Sequence, residues 1–269
     1  MLFSGILLVS AALSVLCCYD CLWWLLPVFA GWFLGLTLMA VGFLGICCLL
    51  VDKSKPQEKD SRFYRAMAHL YINFIVTIGR IRLHSQGLEK TPKEGRFLLV
   101  CNHLNEIDPA VILKCFPKSQ LAFISKKENT TMPFVGSVMH KLMCQLINRE
   151  NDREALKTIL KCVELIKNDE VSVGVFPEGY ISLTGKLQPL KGGVFKIAQK
   201  AKVPIVVCTI RDTKQALGKL LKLRSSDVTL HLVDVIPAEA LVGRTAVDIA
   251  NQVYEMMLSD LGEDFRADD

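Results

Sequence analysis

The chain has 269 residues, 51% of them hydrophobic, a formal net charge of +5 and a mean hydropathy of +0.33. The length suffices for one medium α/β domain with an appendage, and the hydropathy is high for a soluble protein. The positive charge is not matched by any recognisable nucleic-acid motif, which excludes nucleic acid as the expected partner.

The apolar excess is local. Residues 1–52 contain no Lys or Arg and only two acids, Asp20 and Asp52, so a basic body follows an uncharged leader. That arrangement suits an anionic bilayer surface, where each Lys or Arg contributes roughly 1 kcal/mol. Within the leader, residues 2–18 form one apolar run and residues 22–51 a second. A helix needs about 20 residues to cross the hydrocarbon, so the second run is long enough and the first is marginal. Tyr19-Asp20-Cys21 between them is too short for anything but a tight reversal, and Trp23, Trp24 and Pro27 follow, as expected near an interface. Residues 1–52 are therefore expected to form a two-helix membrane anchor. A cleaved signal peptide fits less well, because there is no basic n-region and a second apolar run follows at once.

The ten cysteines do not make a disulfide framework: five sit in the leader and the rest are scattered. Cys18 and Cys21 have metal-like spacing, but no second pair or His completes a site, so no metal is expected. A reduced, cytosol-facing body follows from that usage.

Residues 53–84 read as a linker and an amphipathic helix. Lys53, Lys55, Pro56, Lys59 and Arg62 make the linker cationic, which places the body on the cytosolic side. From Arg62 to Leu83, Phe63, Met67, Leu70, Tyr71, Phe74, Ile75 and Ile78 recur at helical spacing. A helix lying on a membrane and a helix packed on a core carry the same stripe.

Residues 85–269 alternate strand and helix patterns. Strands are expected at Phe97–Cys101, Leu121–Ser125, Gln145–Asn148, Val171–Phe176, Pro204–Ile210 and Val228–Ile236, and helices at Glu154–Lys167, Lys191–Ala201 and Ala246–Leu261. This alternation implies an α/β fold, a mostly parallel sheet flanked by helices, with sites on loops at strand ends. The informative residues fall on those loops. Asn102-His103-Leu104-Asn105-Glu106-Ile107-Asp108-Pro109 follows one strand and leads into a helix. A His and an Asp five residues apart across such a turn can fold together, the carboxylate holding one imidazole nitrogen as N–H and leaving the other to take a proton. No Ser or Cys nucleophile lies in the motif, which suits a reaction whose substrate supplies the nucleophile. Phe176-Pro177-Glu178-Gly179 sits at another strand end, with Lys126, Lys127, Pro133 to Gly136 and Ile147-Asn148-Arg149 between the two and Val203-Pro204-Ile205 beyond.

In the order and spacing of these four motifs, over roughly residues 85–210, the sequence resembles the 1-acylglycerol-3-phosphate acyltransferase family. The apolar pair also resembles the two-helix anchor of bacterial members. The resemblance implies that His103 is the catalytic base and Asp108 its partner. It implies substrate-binding roles for Lys126 and Arg149 of the second motif, for Glu178 and Gly179 of the third, and for Lys191 of a K-x-G segment. The implied reaction moves a fatty acyl group from acyl-CoA or an acyl carrier protein to a lysophospholipid hydroxyl, most directly 1-acylglycerol-3-phosphate, with no cofactor. The third box departs from the family: FPEGTRS becomes FPEGYIS, so Ile181 stands where an Arg grips the acceptor phosphate, and Asn105 replaces a common Ser. Another lysophospholipid acceptor, a thioester hydrolase and a non-catalytic lipid-binding protein on the same fold are the alternatives.

Overall fold

A computed structural model describes residues 1–18, 21–216 and 224–267. The expected reversal at Tyr19-Asp20 lies outside the described residues. Seven strands form one sheet: β1 (Ile81–Gln86), β2 (Leu98–Cys101), β3 (Leu121–Lys126), β4 (Gln145–Ile147), β5 (Ser172–Val175), β6 (Ile205–Arg211) and β7 (Ser226–Ile236), in the order β1-β7-β6-β2-β5-β3-β4. Strands β6, β2, β5, β3 and β4 run parallel; β7 is antiparallel to β6, and β1 is parallel to β7. The central strands β2 and β5 are buried at every position, so their sequences read as unbroken apolar runs rather than alternating ones.

Helices cover both faces: α3 (Arg62–Ile78), α4 (Asp108–Cys115), α5 (Val135–Lys141), α6 (Asp152–Lys167), α7 (Lys196–Ala201) and α8 (Ala246–Leu261), after α1 (Leu2–Cys17) and α2 (Leu25–Leu49) of the leader. Leu98, Val100, Val173 and Val175 point to the face packed by α6, α7 and α8. Leu99, Cys101, Val206 and Cys208 point to the other face, against Val111 and Ile112 of α4.

Two expectations need correction. The helix from Arg62 stops at Ile78 instead of Leu83: Gly79 ends it, Arg80 turns to φ 50°, and Ile81–Gln86 becomes edge strand β1, in register with Ser226–His231. This strand runs across the expected boundary at residue 85. The helix expected at Lys191–Ala201 is divided into a 3-10 turn, Gly192–Phe195, and α7.

Both helices of the leader meet the body. Leu22–Leu49 is 28 residues long and apolar enough to cross a membrane by length and composition, whereas α1 has 16 residues. Tyr64 of α3 donates to the Cys47 carbonyl (2.8 Å), Tyr71 to that of Ala40, and Ser137 of α5 to that of Cys48 (3.0 Å). Phe3 of α1 meets Phe33 of α2 edge-on at 6.1 Å and lies tilted against Phe74 of α3 at 6.3 Å. Helix α3 thus packs against leader and body, with Phe63, Ile75 and Ile78 left exposed. The linker is pinned beneath it. Asp60 pairs with Arg65 through two bonds of 2.7 Å, and Arg65 also donates to the Leu121 carbonyl at the start of β3 (3.0 Å).

Candidate active site

The site is built where the adjacent strands β2 and β5 end. Beyond β2, the Asn102 side chain continues the pairing with β6: its Oδ1 accepts from the Ile210 N–H (2.7 Å) and its Nδ2 donates to the Ile210 carbonyl (3.0 Å). That fixes the direction in which the chain leaves the sheet, at His103. The turn then returns through Asp108, the first residue of α4, whose Oδ2 lies 2.8 Å from His103 Nδ1. The same oxygen accepts from the backbone N–H groups of Leu104 (2.7 Å) and Asn105 (2.8 Å). The two backbone donors suit a carboxylate, and a carboxylate accepts from an Nδ1–H imidazole, the tautomer that leaves Nε2 with its lone pair. Asp108 is 0% exposed and His103 15%, so the carboxylate is sealed in while the imidazole meets the outside. Oδ1 of Asp108 is buried without a partner among the described residues, an imbalance of the kind found at functional sites.

The imidazole lies flat on Phe176, with ring centroids 4.0 Å apart and planes 16° apart, and Phe176 stacks in turn on Phe123 at 5.7 Å. Gly174 in β5 makes room for this column, since a Cβ there would come within 2.5 Å of the Phe123 ring. Glu178 does not face open space. One of its oxygens accepts the His103 N–H (2.7 Å), the other the Gln188 N–H (2.9 Å), and the side chain is buried. Burial raises its carboxyl to about 7; the two N–H donors pull it down, and the charge of Asp108 raises it further. The His103 carbonyl accepts from Ser182 N–H (2.8 Å), so both backbone groups of His103 are tied to the segment after β5. Gly179 sits at φ 86°, a region that favours glycine, and a Cβ there would meet Lys191 Cε at 2.9 Å. The exposed Lys191 side chain therefore crosses directly over Gly179.

The structure thus brings together His103, Asp108, Glu178, Gly179 and Lys191. Lys126, the last residue of β3, pairs in register with Ile147 of β4, and Arg149 follows that strand. Both are exposed on the same edge of the sheet but on the far side of β5 from His103. Among the described residues neither is bonded to His103, Asp108 or Glu178. The spacing of the motifs did not reveal the backbone role of Glu178 or the contribution of Asn102; the strand-end Asn and the mid-strand Gly174 were the available signals. Among the described residues no group of three or more His, Cys, Asp or Glu is placed to hold a metal ion.

Comparison with known proteins agrees with this geometry. A family model described as Acyltransferase matches residues 82–211, the stretch that contains every residue of the site. The 1-acyl-sn-glycerol-3-phosphate acyltransferase of Saccharomyces cerevisiae is 25% identical over 236 residues, which is 85% of this chain and 75% of that protein. The enzyme of the same name from Cocos nucifera is 32% identical over 145 residues, 54% of this chain and 47% of that one. The chain therefore spans about half to three quarters of the length of these relatives. The crystal structure of the 1-acyl-sn-glycerophosphate (LPA) acyltransferase PlsC from Thermotoga maritima superposes with a TM-score of 0.60 at 22% identity, covering 86% of this chain and 91% of that chain, so the fold is shared. The motifs, the domain match and the fold agree: residues 82–211 form an acyltransferase domain similar to that of the 1-acylglycerol-3-phosphate acyltransferases.

Proposed function

We propose that this protein transfers a fatty acyl group from an acyl thioester to the free hydroxyl of a lysophospholipid, with 1-acylglycerol-3-phosphate as the first-choice acceptor and phosphatidic acid as its product. The observation that carries the reading is the His103–Asp108 pair, with Nδ1 anchored at 2.8 Å and Nε2 free. Among the described residues no Ser, Thr or Cys side chain is bonded to the imidazole, which supports a substrate hydroxyl as the nucleophile. His103 Nε2 takes the hydroxyl proton as that oxygen attacks the thioester carbonyl. The tetrahedral intermediate collapses, the C–S bond breaks, and the imidazolium returns the proton to the departing sulfur. General base catalysis of this kind contributes about 10²–10⁴-fold, and positioning and oxyanion stabilisation supply the remainder. The donor is acyl-CoA or an acyl carrier protein, and no cofactor or metal enters the scheme.

The leader supports a membrane-bound enzyme whose acceptor stays in the bilayer, while the cationic linker supports a body on the cytosolic face. Ile181 favours a second reading within the same class, in which the acceptor is a lysophospholipid with a larger head group. The test is a panel of lysolipids offered to the purified full chain with a labelled acyl thioester. Labelled diacyl lipid supports the reading. Free fatty acid as the sole product indicates a hydrolase and overturns it.

A further inference from the structure

The acyltransferase domain match ends at residue 211, yet a segment beyond it reaches the loop that carries Glu178. After α8 the chain turns at Gly262, whose φ of 100° and ψ of 153° lie in a region open almost solely to glycine. A 3-10 turn, Glu263–Phe265, follows. The Phe265 carbonyl accepts from the Leu187 N–H at 2.7 Å, and Arg266 forms a parallel bridge with Leu187. The next N–H along the loop, that of Gln188, donates to Glu178 at 2.9 Å, and the other Glu178 oxygen takes the His103 N–H at 2.7 Å. Successive N–H groups of one segment are thus held by Phe265 and Glu178 in turn, and Glu178 holds His103.

The segment after α8 has firm supports of its own. The Arg211 guanidinium lies over the Phe265 ring at 5.9 Å and donates to the Asp260 carbonyl in the last turn of α8. Phe265 also packs against the core shared by α6, α7 and α8. Arg266 lies over the Tyr254 ring at 6.0 Å and pairs with Glu263 (3.0 Å) and Glu255 (3.6 Å). Among the described residues none of residues 262–267 is bonded to His103, Asp108 or Glu178 directly, so any influence on the site passes through Leu187 and Gln188.

We propose that Phe265 is a positioning residue for acyl transfer, fixing the Glu178 carboxylate, and through it the main chain of His103, by way of the Leu187–Gln188 backbone. The inference rests on the acyl-transfer reading above and extends its machinery beyond the matched domain. Its physical basis is distance: a 1 Å misplacement of reacting groups can cost about 10²-fold in rate.

The experiment uses the full chain in mixed micelles, with a labelled acyl thioester and a lysophospholipid that the wild type acylates, and measures kcat and both KM values. Phe265→Ala removes the ring that seats the turn on Arg211. Gly262→Ala places a Cβ where nothing lies within 4 Å, so it acts on backbone direction alone. Each is expected to lower kcat about tenfold, within the cost of a small misplacement, with both KM values little changed. Phe265→Tyr keeps the ring and should behave as wild type. The same variants are then made on Glu178→Gln. A Gln side chain has one acceptor oxygen and cannot hold both N–H groups, so the path is already cut, and Phe265→Ala should cost less than about twofold there. A loss of equal size in both backgrounds, a rise in KM in place of the loss in kcat, or unchanged kinetics overturns the positioning role while leaving acyl transfer standing. Gly262→Ala, which removes no contact, carries the same comparison if Phe265→Ala does not fold. Absence of transfer by the wild type to any lysolipid overturns the acyl-transfer reading and the positioning role with it.

Discussion

Both oxygens of the Glu178 carboxyl are occupied by backbone N–H groups, those of His103 and Gln188. The side chain therefore ties His103 to the loop after β5 through the main chain. Burial carries its carboxyl from the ordinary 4.5 to about 7. Between those values the folded protein binds more protons than the unfolded chain, so this group makes stability fall as pH rises through the window and level off above it. A displacement of that size corresponds to about 3 kcal/mol. Glu178→Gln removes the titration, so wild type should lose about 3 kcal/mol relative to the variant between roughly pH 4.5 and 7.5. Denaturant unfolding across that range measures the difference, and parallel curves would rule out the buried titration. His103, Asp108 and Gly179 were legible in the sequence because their geometry is local: a five-residue return, and a glycine in a turn. The partners of Glu178 were not, since backbone N–H groups of another loop leave no mark in side-chain identity.

At the scale of elements, the Asp60–Arg65 clip holds the linker against α3 and the start of β3. Side-chain exposures of 4% and 8% mean that neither charge has water to fall back on. Breaking one half of a buried pair commonly costs about 3–5 kcal/mol, whereas replacing both with apolar groups is often near neutral. Asp60→Ala is expected to lower stability by about that amount, and Asp60→Ala with Arg65→Met to recover most of it. Thermal unfolding of the two variants beside wild type decides the matter; a single variant as stable as wild type would show the pair to be idle. Strands β2, β3, β5 and β6 were legible because buried parallel strands read as apolar runs bounded by turns. β1 was not: Ile81 and Leu83 alternate with the outward Arg82 and His84, and together they prolong the apolar-and-Arg pattern of α3 by one apparent turn. The break depends on Gly79 and the positive φ of Arg80, which hydrophobic spacing does not register.

Across the whole molecule, leader and catalytic body meet through hydrogen bonds from Tyr64, Tyr71 and Ser137 to backbone carbonyls of α2, so the apolar helix is held in a set relation to the face that carries α3. Leu34 and Leu38 are exposed on one side of α2, four residues apart, and take no part in those hydrogen bonds. An Arg in the centre of a membrane helix costs about 2.5–3.5 kcal/mol on insertion scales. Leu34→Arg with Leu38→Arg should therefore release much of the protein from membranes at alkaline pH while leaving the catalytic body folded. A double variant that stays in the alkaline pellet as fully as wild type would mean that α2 is not the main anchor.

The most direct measurement of the central claim is the turnover of purified, folded His103→Ala in acyl transfer from a labelled thioester to a lysophospholipid. With Nε2 as the proposed base, turnover should fall at least about a hundredfold, the lower end of what general base catalysis contributes. A variant that keeps more than about a tenth of wild-type turnover would contradict the assignment of His103 as the base.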